Sequence, residues 1–330
     1  MSKKFLALGL VGLMTLSVGC DLVKDVVADV TASKDTDEQQ VQNEETQAPE
    51  EEILGISEES TPEEIFELSK TAMSAQDAKI KMTIDMDMDI EFAKKGLIFT
   101  TEGNIQQKNN QVSDSIIDYS DENNFVVAIN TNITMEMTGD INGVDADDNE
   151  TEDTTTYIVA VNGSANKYTN EEDKWKVESI SIDEARQELT NGMLDNLTRN
   201  AKSIEVAGST NIDNQNCVSV KELMEWKSFL EVTGTESSED TAWADSYSGD
   251  IELTYYFGEE DQYLHKIDIE FSDELIENLK ENISQEMVEQ FNSKKAECDI
   301  PKMQWSISFE LYDFGTDNTI EVPQEALDAN

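Results

Sequence analysis

The chain has 330 residues, 72 acidic against 23 basic, for a formal net charge of −49, and only 38% of its residues are hydrophobic. A field of that sign repels phosphate backbones and anionic headgroups, so no nucleic-acid partner is expected and any membrane attachment must be covalent or hydrophobic. One histidine, His265, and three cysteines, Cys20, Cys217 and Cys298, are too few for histidine-centred zinc sites and argue against a Ser-His-Asp triad.

Residues 1–20 have the anatomy of a secretory signal: Lys3 and Lys4, then an apolar run from Phe5 to Val18. That run is shorter than the roughly 20 residues a bilayer-spanning helix needs. It ends in Ser17-Val18-Gly19-Cys20, which resembles a bacterial lipobox. The resemblance implies that Cys20 is diacylated and becomes the mature N-terminus; the alternative is an ordinary signal peptide with a coincidental cysteine. Acyl chains bury methylenes in the bilayer at about 0.8 kcal/mol each, enough to tether the chain to the outer face of a membrane. Composition changes over residues 21–60: after the apolar DLVKDVVADV, a short helix or strand, residues 33–60 are rich in Glu, Gln, Asp, Thr and Asn. Such a segment buries too little surface to offset its ordering entropy, so it reads as a disordered acidic tether.

Residues 61–330 read as one folded domain. Thr61-Pro62-Glu63-Glu64 sets a capping threonine, a proline at the first helical position and a glutamate at the third, which predicts a helix ending before Asp77. From Ile80 to Phe92 every even position is apolar and every odd one polar, the period of a strand with one dry face. A strand that long twists and curves its sheet. After Lys94-Lys95-Gly96, the stretch Leu97–Ile105 is its expected hairpin partner. Residues 125–137 repeat the pattern on odd positions, from Phe125 to Met137. A loop is expected at 139–154, then a strand facing inward through Tyr157, Val159 and Val161, and short strands near Lys167–Tyr168 and Trp175–Val177.

Ser181-Ile182-Asp183-Glu184 opens a second predicted helix with Ala185, Leu189, Met193 and Leu197 as its stripe. Short strands at Ser203–Ala207 and Cys217–Val220 lead to a third helix over about Glu222–Val232, carrying Leu223, Trp226, Phe229 and Leu230. A polar loop at 234–245 precedes a hairpin with arms Ile251–Phe257 and Ile267–Phe271. The longest helix has Leu275, Leu279, Ile283, Met287 and Phe291 at i, i+4 spacing, and the closing strand holds Met303, Trp305, Ile307, Phe309 and Leu311. Runs of alternating strands with few crossover helices predict an α+β antiparallel sheet, dry on one face and wet on the other.

The helix opening on Thr61-Pro62-Glu63-Glu64, the long alternating strand, the late hairpin and the closing Tyr312-Asp313-Phe314 and Ile320-Glu321-Val322-Pro323-Gln324-Glu325-Ala326 resemble the LolA/LppX-like bacterial lipoproteins, which include uncharacterised Gram-positive surface lipoproteins. The resemblance implies a strongly curved antiparallel β-sheet, an incomplete barrel, covered by amphipathic helices and able to hold an acyl chain between them.

Met82, Met86, Met88, Met135 and Met137 all fall on inward faces. Methionine is flexible and polarizable, so these five are either core filler or the lining of a groove for a variable apolar ligand. The acidic stretch Asp140–Glu150 offers oxygen ligands, with Asp145, Asp147 and Asp148 as calcium candidates, against the reading of a solvated hairpin tip. Cys217 and Cys298 are a candidate disulfide, since an exported domain sits where disulfides persist. His265 has no His or Cys beside it and reads as structural. No nucleophile motif, phosphate loop or metal-binding cysteine cluster occurs, so no catalytic residue, cofactor or resident metal is expected and the chain reads as non-enzymatic. The expected function is that of an extracytoplasmic lipoprotein, anchored to the cell membrane through Cys20, that binds or carries a lipid or other hydrophobic molecule. The alternative is a non-catalytic surface module whose acidic exterior binds an envelope or secreted protein.

Overall fold

The computed structural model describes residues 55–73, 76–95, 100–121, 123–171, 174–187, 201–233, 248–290, 296–316 and 318–329. Cys20 and the lipobox, residues 21–54 of the tether, Leu97, Phe99, Leu189, Met193, Leu197, the loop at 234–245 and Phe291 lie outside the described residues, as does the side chain of Leu230.

In chain order the elements are α1 (Pro62–Met73), β1 (Ala78–Lys95), β2 (Thr100–Asp121), β3 (Asn124–Ile141), β4 (Val144–Asp145), β5 (Asp148–Val161), β6 (Ser164–Glu171), β7 (Lys174–Ile180), α2 (Ile182–Gln187), β8 (Ala201–Ile212), β9 (Gln215–Glu225), α3 (Trp226–Thr233), β10 (Asp250–Gly258), β11 (Leu264–Phe271), α4 (Asp273–Gln290), β12 (Ala296–Tyr312) and α5 (Gln324–Leu327). The strands form one open, curved antiparallel sheet in the order β7-β6-β5-β3-β2-β1-β12-β11-β10-β9-β8, with the two-residue β4 beside β3. The alternating strand β1 is its middle strand. The closing strand β12 returns to pair with it, Met86 opposite Trp305 and Met82 opposite Phe309, so both halves of the sheet are hung on β1.

Local chemistry starts two of the helices as the spacing predicts. The Thr61 backbone N–H donates to Glu64 Oε2 at 2.9 Å and the Glu64 N–H donates to Thr61 Oγ1 at 3.3 Å. Ser181 and Glu184 make the same reciprocal pair at the start of α2. Each pair satisfies two amides that the first helical turn leaves without carbonyls.

Among the described residues the helical cover is uneven. α1, α3 and α4 lay Ile65, Met73, Trp226, Phe229, Leu275, Leu279, Ile283 and Met287 into one core with the inner faces of β1 and β9–β12. Phe66 meets Tyr255 and Phe257 edge-on, each at 5.1 Å between ring centroids. The N-terminal half has a smaller core, Ile117, Phe125, Val127, Ile158, Ala160 and Ala165, against which α2 places Ala185.

Several sequence expectations give way. β2 does not stop near Ile105 but runs on to Asp121, pairing with β1 from Lys95↔Thr100 to Ala78↔Ile117. The loop expected at 139–154 is largely strand, because β3 and β5 pair out to Met137↔Asp148. In β5 the inward residues are Ile158 and Ala160, not Tyr157, Val159 and Val161: Val127 lies opposite Ile158 and Phe125 opposite Ala160, and paired residues share a face. Glu222 and Leu223 belong to strand β9, and the third helix begins only at Trp226. Packing also begins before Thr61: Ile56 is buried, and Glu58 Oε1 accepts the Ser209 N–H at 2.8 Å.

Candidate functional site

The inner face of β1, β2 and β3 joins three strips of different chemistry. On β1, Met82, Met86 and Met88 are buried and packed into the core. On β3, Ile129, Ile133, Met135 and Met137 continue the same face but are only half-buried. The five candidate methionines therefore divide into three that fill the core and two that border an open face. Between the strips, β2 presents Gln107, Asn109, Gln111 and Ser113, all buried.

Register places these groups in rows across the sheet. Trp305, Met86, Asn109, Met135 and Glu150 stand in line across β12, β1, β2, β3 and β5. The next row runs Met303, Met88, Gln107, Met137 and Asp148. Each row thus grades from the packed core, through a buried amide and a half-buried methionine, to an exposed carboxylate.

The amides are incompletely satisfied. Gln107 Nε2 donates to Asn109 Oδ1 at 3.3 Å, and Ser113 Oγ lies 2.9 Å from Thr131 Oγ1. Asn109, 4% exposed, leaves its Nδ2 with no partner. A buried donor left unmade costs about 1–3 kcal/mol of desolvation, so it points to a role beyond packing. Sequence reasoning missed this row because residues 106–115, QQKNNQVSDS, are polar on both faces and carry no alternation. The available signal was Ile105 and Ile117, an even number of positions apart and so on one face of any strand that spans both.

A second inward polar group is Glu222, fully buried on β9. Tyr255 donates its hydroxyl to Glu222 Oε2 at 2.7 Å, and Oε1 has no partner. Burial raises this carboxyl from 4.5 to about 7, against the downward pull of the Tyr255 hydrogen bond.

The remaining candidates are kept apart. Cys217 and Cys298 are free thiols, so the expected bridge does not form. They sit on β9 and β12 with β10 and β11 between them, about 14 Å apart at the usual strand spacing and beyond the reach of a disulfide. Burial pushes the Cys217 thiol up to about 11, which leaves it protonated and unreactive. In the acidic stretch, Asp147 Oδ1 accepts the Gly139 N–H at 3.2 Å and Asp148 Oδ1 the Asn149 N–H at 3.2 Å, while Asp145 pairs with Asp140 in the β3–β4 ladder. Among the described residues no three such groups converge on a point where a metal ion could sit. His265 Nε2 contacts both carboxylate oxygens of Asp261, at 3.1 and 3.2 Å. Gly258 makes that pair possible, because a Cβ there would lie 2.0 Å from Asp261 Oδ1 and 2.9 Å from His265 Nε2.

The outer face is polar and hollowed. A cavity of about 680 Å³ is lined by Asp85, Asp87, Lys108, Asn110, Thr134 and Glu136 together with Met86, Asn109 and Trp305, and one of about 830 Å³ by Glu91, Glu102, Asp140, Glu297 and Asp299 with Phe92 and Cys298 among others. Lys302 Nζ donates to Asp87 at 2.7 Å and holds that carboxyl below its usual range. No helix of the described residues is long and apolar enough to cross a membrane.

No family model and no curated protein matches the chain. Among solved structures it is similar to LprF from Mycobacterium bovis, at 9% identity and a TM-score of 0.34, covering 81% of this chain and 99% of that one. It is similar to the lipoprotein LppX from Mycobacterium tuberculosis at 8% identity and 0.33, covering 79% and 97%, and to a LolA-superfamily protein from Nitrosomonas europaea at 8% and 0.22, covering 81% and 96%. These are the LolA/LppX-like proteins that the sequence resembles. At these scores the likeness carries no weight for function, which rests on the chain's own residues.

Proposed function

We propose that the chain is an extracytoplasmic lipoprotein, held to the cell membrane by diacylated Cys20, that binds or carries a lipid or other hydrophobic molecule between its sheet and its helices. The observation that carries this reading is the inner face of β3. Ile129, Ile133, Met135 and Met137 extend the dry face of β1 and stay half-buried, whereas Met82, Met86, Met88, Ile90 and Phe92 on β1 are buried. Adaptable methionines at the border of a packed core suit an acyl chain of variable shape. Met82, Met86 and Met88 form the floor of the core rather than the contact surface.

The test is transfer of a fluorescently labelled acyl lipid between two vesicle populations by the full chain. A Met135→Asp, Met137→Asp double variant with an unchanged far-ultraviolet spectrum is expected to slow protein-dependent transfer at least about tenfold, because an alkyl chain would have to desolvate two carboxylates. Equal transfer by the two proteins would count against the β3 face.

A second reading has its own observation. The two cavities carry eight carboxylates against one lysine, Lys108, which suits a basic envelope or secreted protein. It requires partner binding that weakens steeply with salt, and binding indifferent to ionic strength would remove it.

A further inference from the structure

The β8–β9 turn, the start of β11 and the end of β12 enclose a third cavity, of about 760 Å³. A β-bulge shapes its wall. Tyr256 pairs with Lys266 and Phe257 with Leu264, so His265 is the extra residue on β11. Leu264 and Ile267, an odd number of positions apart, are for that reason both fully buried, while His265 and Lys266 between them both line the cavity. The chain's single histidine is thus turned out of the core by the backbone itself.

Asp261 fixes the imidazole. Its carboxylate meets His265 Nε2 and also accepts from Gln215 Nε2 at 2.5 Å and from the Tyr263 N–H at 3.1 Å. With Nε2–H given to Asp261, the neutral ring keeps Nδ1 as an acceptor, and Nδ1 has no partner among the described residues. An aromatic wall stands beside it: Tyr263 and Phe314 lie 4.4 Å apart between ring centroids, Phe314 meets His265 edge-on at 6.2 Å, and Tyr312 is 40% exposed. Two lining carboxylates, Asp213 and Glu310, also have no side-chain partner among the described residues. The one lining amine, Lys266 Nζ, already meets Asp268 at 2.9 Å. The open groups are therefore acceptors and aromatic surface.

We propose that this cavity binds an alkylguanidinium, the group that ends an arginine side chain. Its N–H donors turn to the open acceptors and its plane lies against the aromatic wall, a pairing that a rounded ammonium makes less well. An anion would be repelled by the lining carboxylates, and an uncharged alkyl group would leave them desolvated without a partner. The inference is independent of the carrier reading, which concerns the inner face of β3.

The single histidine supplies the test. In the untagged full chain with ring-labelled histidine, the only imidazole signal in the nuclear magnetic resonance spectrum comes from this cavity. Three soluble probes are titrated: Nα-acetylarginine methylamide, its citrulline counterpart with an uncharged urea of the same shape, and butylguanidinium. The arginine probe is expected to shift the His265 signal saturably and to bind at least about tenfold tighter than the citrulline probe. Both remaining outcomes uphold the proposal: butylguanidinium binding as tightly identifies a free cation as sufficient, and weaker binding identifies an arginine borne by a peptide.

Glu310→Gln and Asp213→Asn are each expected to weaken the arginine probe about fivefold, and Phe314→Leu about threefold. Glu178→Gln, on exposed β7 at the far end of the sheet, removes one charge from the general acidic field and is expected to change affinity less than about twofold. An unshifted His265 signal in unliganded Glu310→Gln shows that the cavity is intact in that variant. Equal affinity for the arginine and citrulline probes, equal losses in Glu310→Gln and Glu178→Gln, or no saturable shift below about 10 mM would overturn the proposal.

Discussion

Glu222 is a carboxyl held out of water. Its carboxyl is buried beside the Tyr255 hydroxyl and ionises near 7 in the folded chain against 4.5 in a solvated one. Between those values the folded state holds more protons than the unfolded state, so stability falls as pH rises from 4.5 and levels off above about 7. Glu222→Gln keeps the shape and removes the titration. It is expected to flatten that decline and to exceed the wild type by about 2 to 3 kcal/mol at pH 8 while differing little near pH 4.5. Urea denaturation at both pH values measures it, and parallel pH profiles for the two proteins would rule the explanation out. At the start of α1, Thr61 shares two hydrogen bonds with Glu64. Thr61→Ala is expected to cost about 1 kcal/mol in the same assay, the usual loss for an N-cap.

The elements differ in how openly the sequence declares them. β1, β12 and the β10–β11 hairpin are legible because one face is dry and the other wet, and alternation is the imprint that this leaves. α4 is legible for the same reason at the helical period. Leu275, Leu279, Ile283 and Met287 are all buried against the sheet, and Leu279→Ala is expected to destabilise the chain by about 2 to 5 kcal/mol in urea, as large-to-small changes in a packed core do. β2 is illegible beyond Ile105. Its inner row is amide rather than aliphatic, so neither face reads as dry, and only pairing with β1 and β3 fixes it as strand. Glu222 misleads in the same way. A glutamate beside Leu223 and Trp226 fits a helix by period, yet the strand ladder to β10 continues through Met224↔Ile251 and Glu225↔Asp250 before α3 can begin. The methionines are legible as inward residues but not as two populations, since alternation fixes the face a side chain takes and not how deeply that face is covered. Polar residues at inward positions carry no periodic signal, and they are where the candidate site has its chemistry.

At the scale of the whole molecule, the return of β12 to β1 divides the sheet into a well-covered half and a half whose inner face stays partly open. An anchor at Cys20 would hold that open face near a source of lipid. Cys20→Ala is expected to move the chain from the membrane fraction to the soluble fraction without changing its melting temperature. Fractionation and a thermal melt check both halves of that statement, and a membrane-bound Cys20→Ala chain would exclude the acyl anchor. The central claim, that the sheet holds a hydrophobic ligand, is reached most directly by native mass spectrometry of the full chain extracted from its host membrane and freed of detergent in the gas phase. The expected spectrum contains the protein plus a dissociable mass in the lipid range, released on collisional activation and absent from the Met135→Asp, Met137→Asp variant. A spectrum with only the covalent mass of the chain, unchanged after incubation with lipid vesicles, would contradict the account.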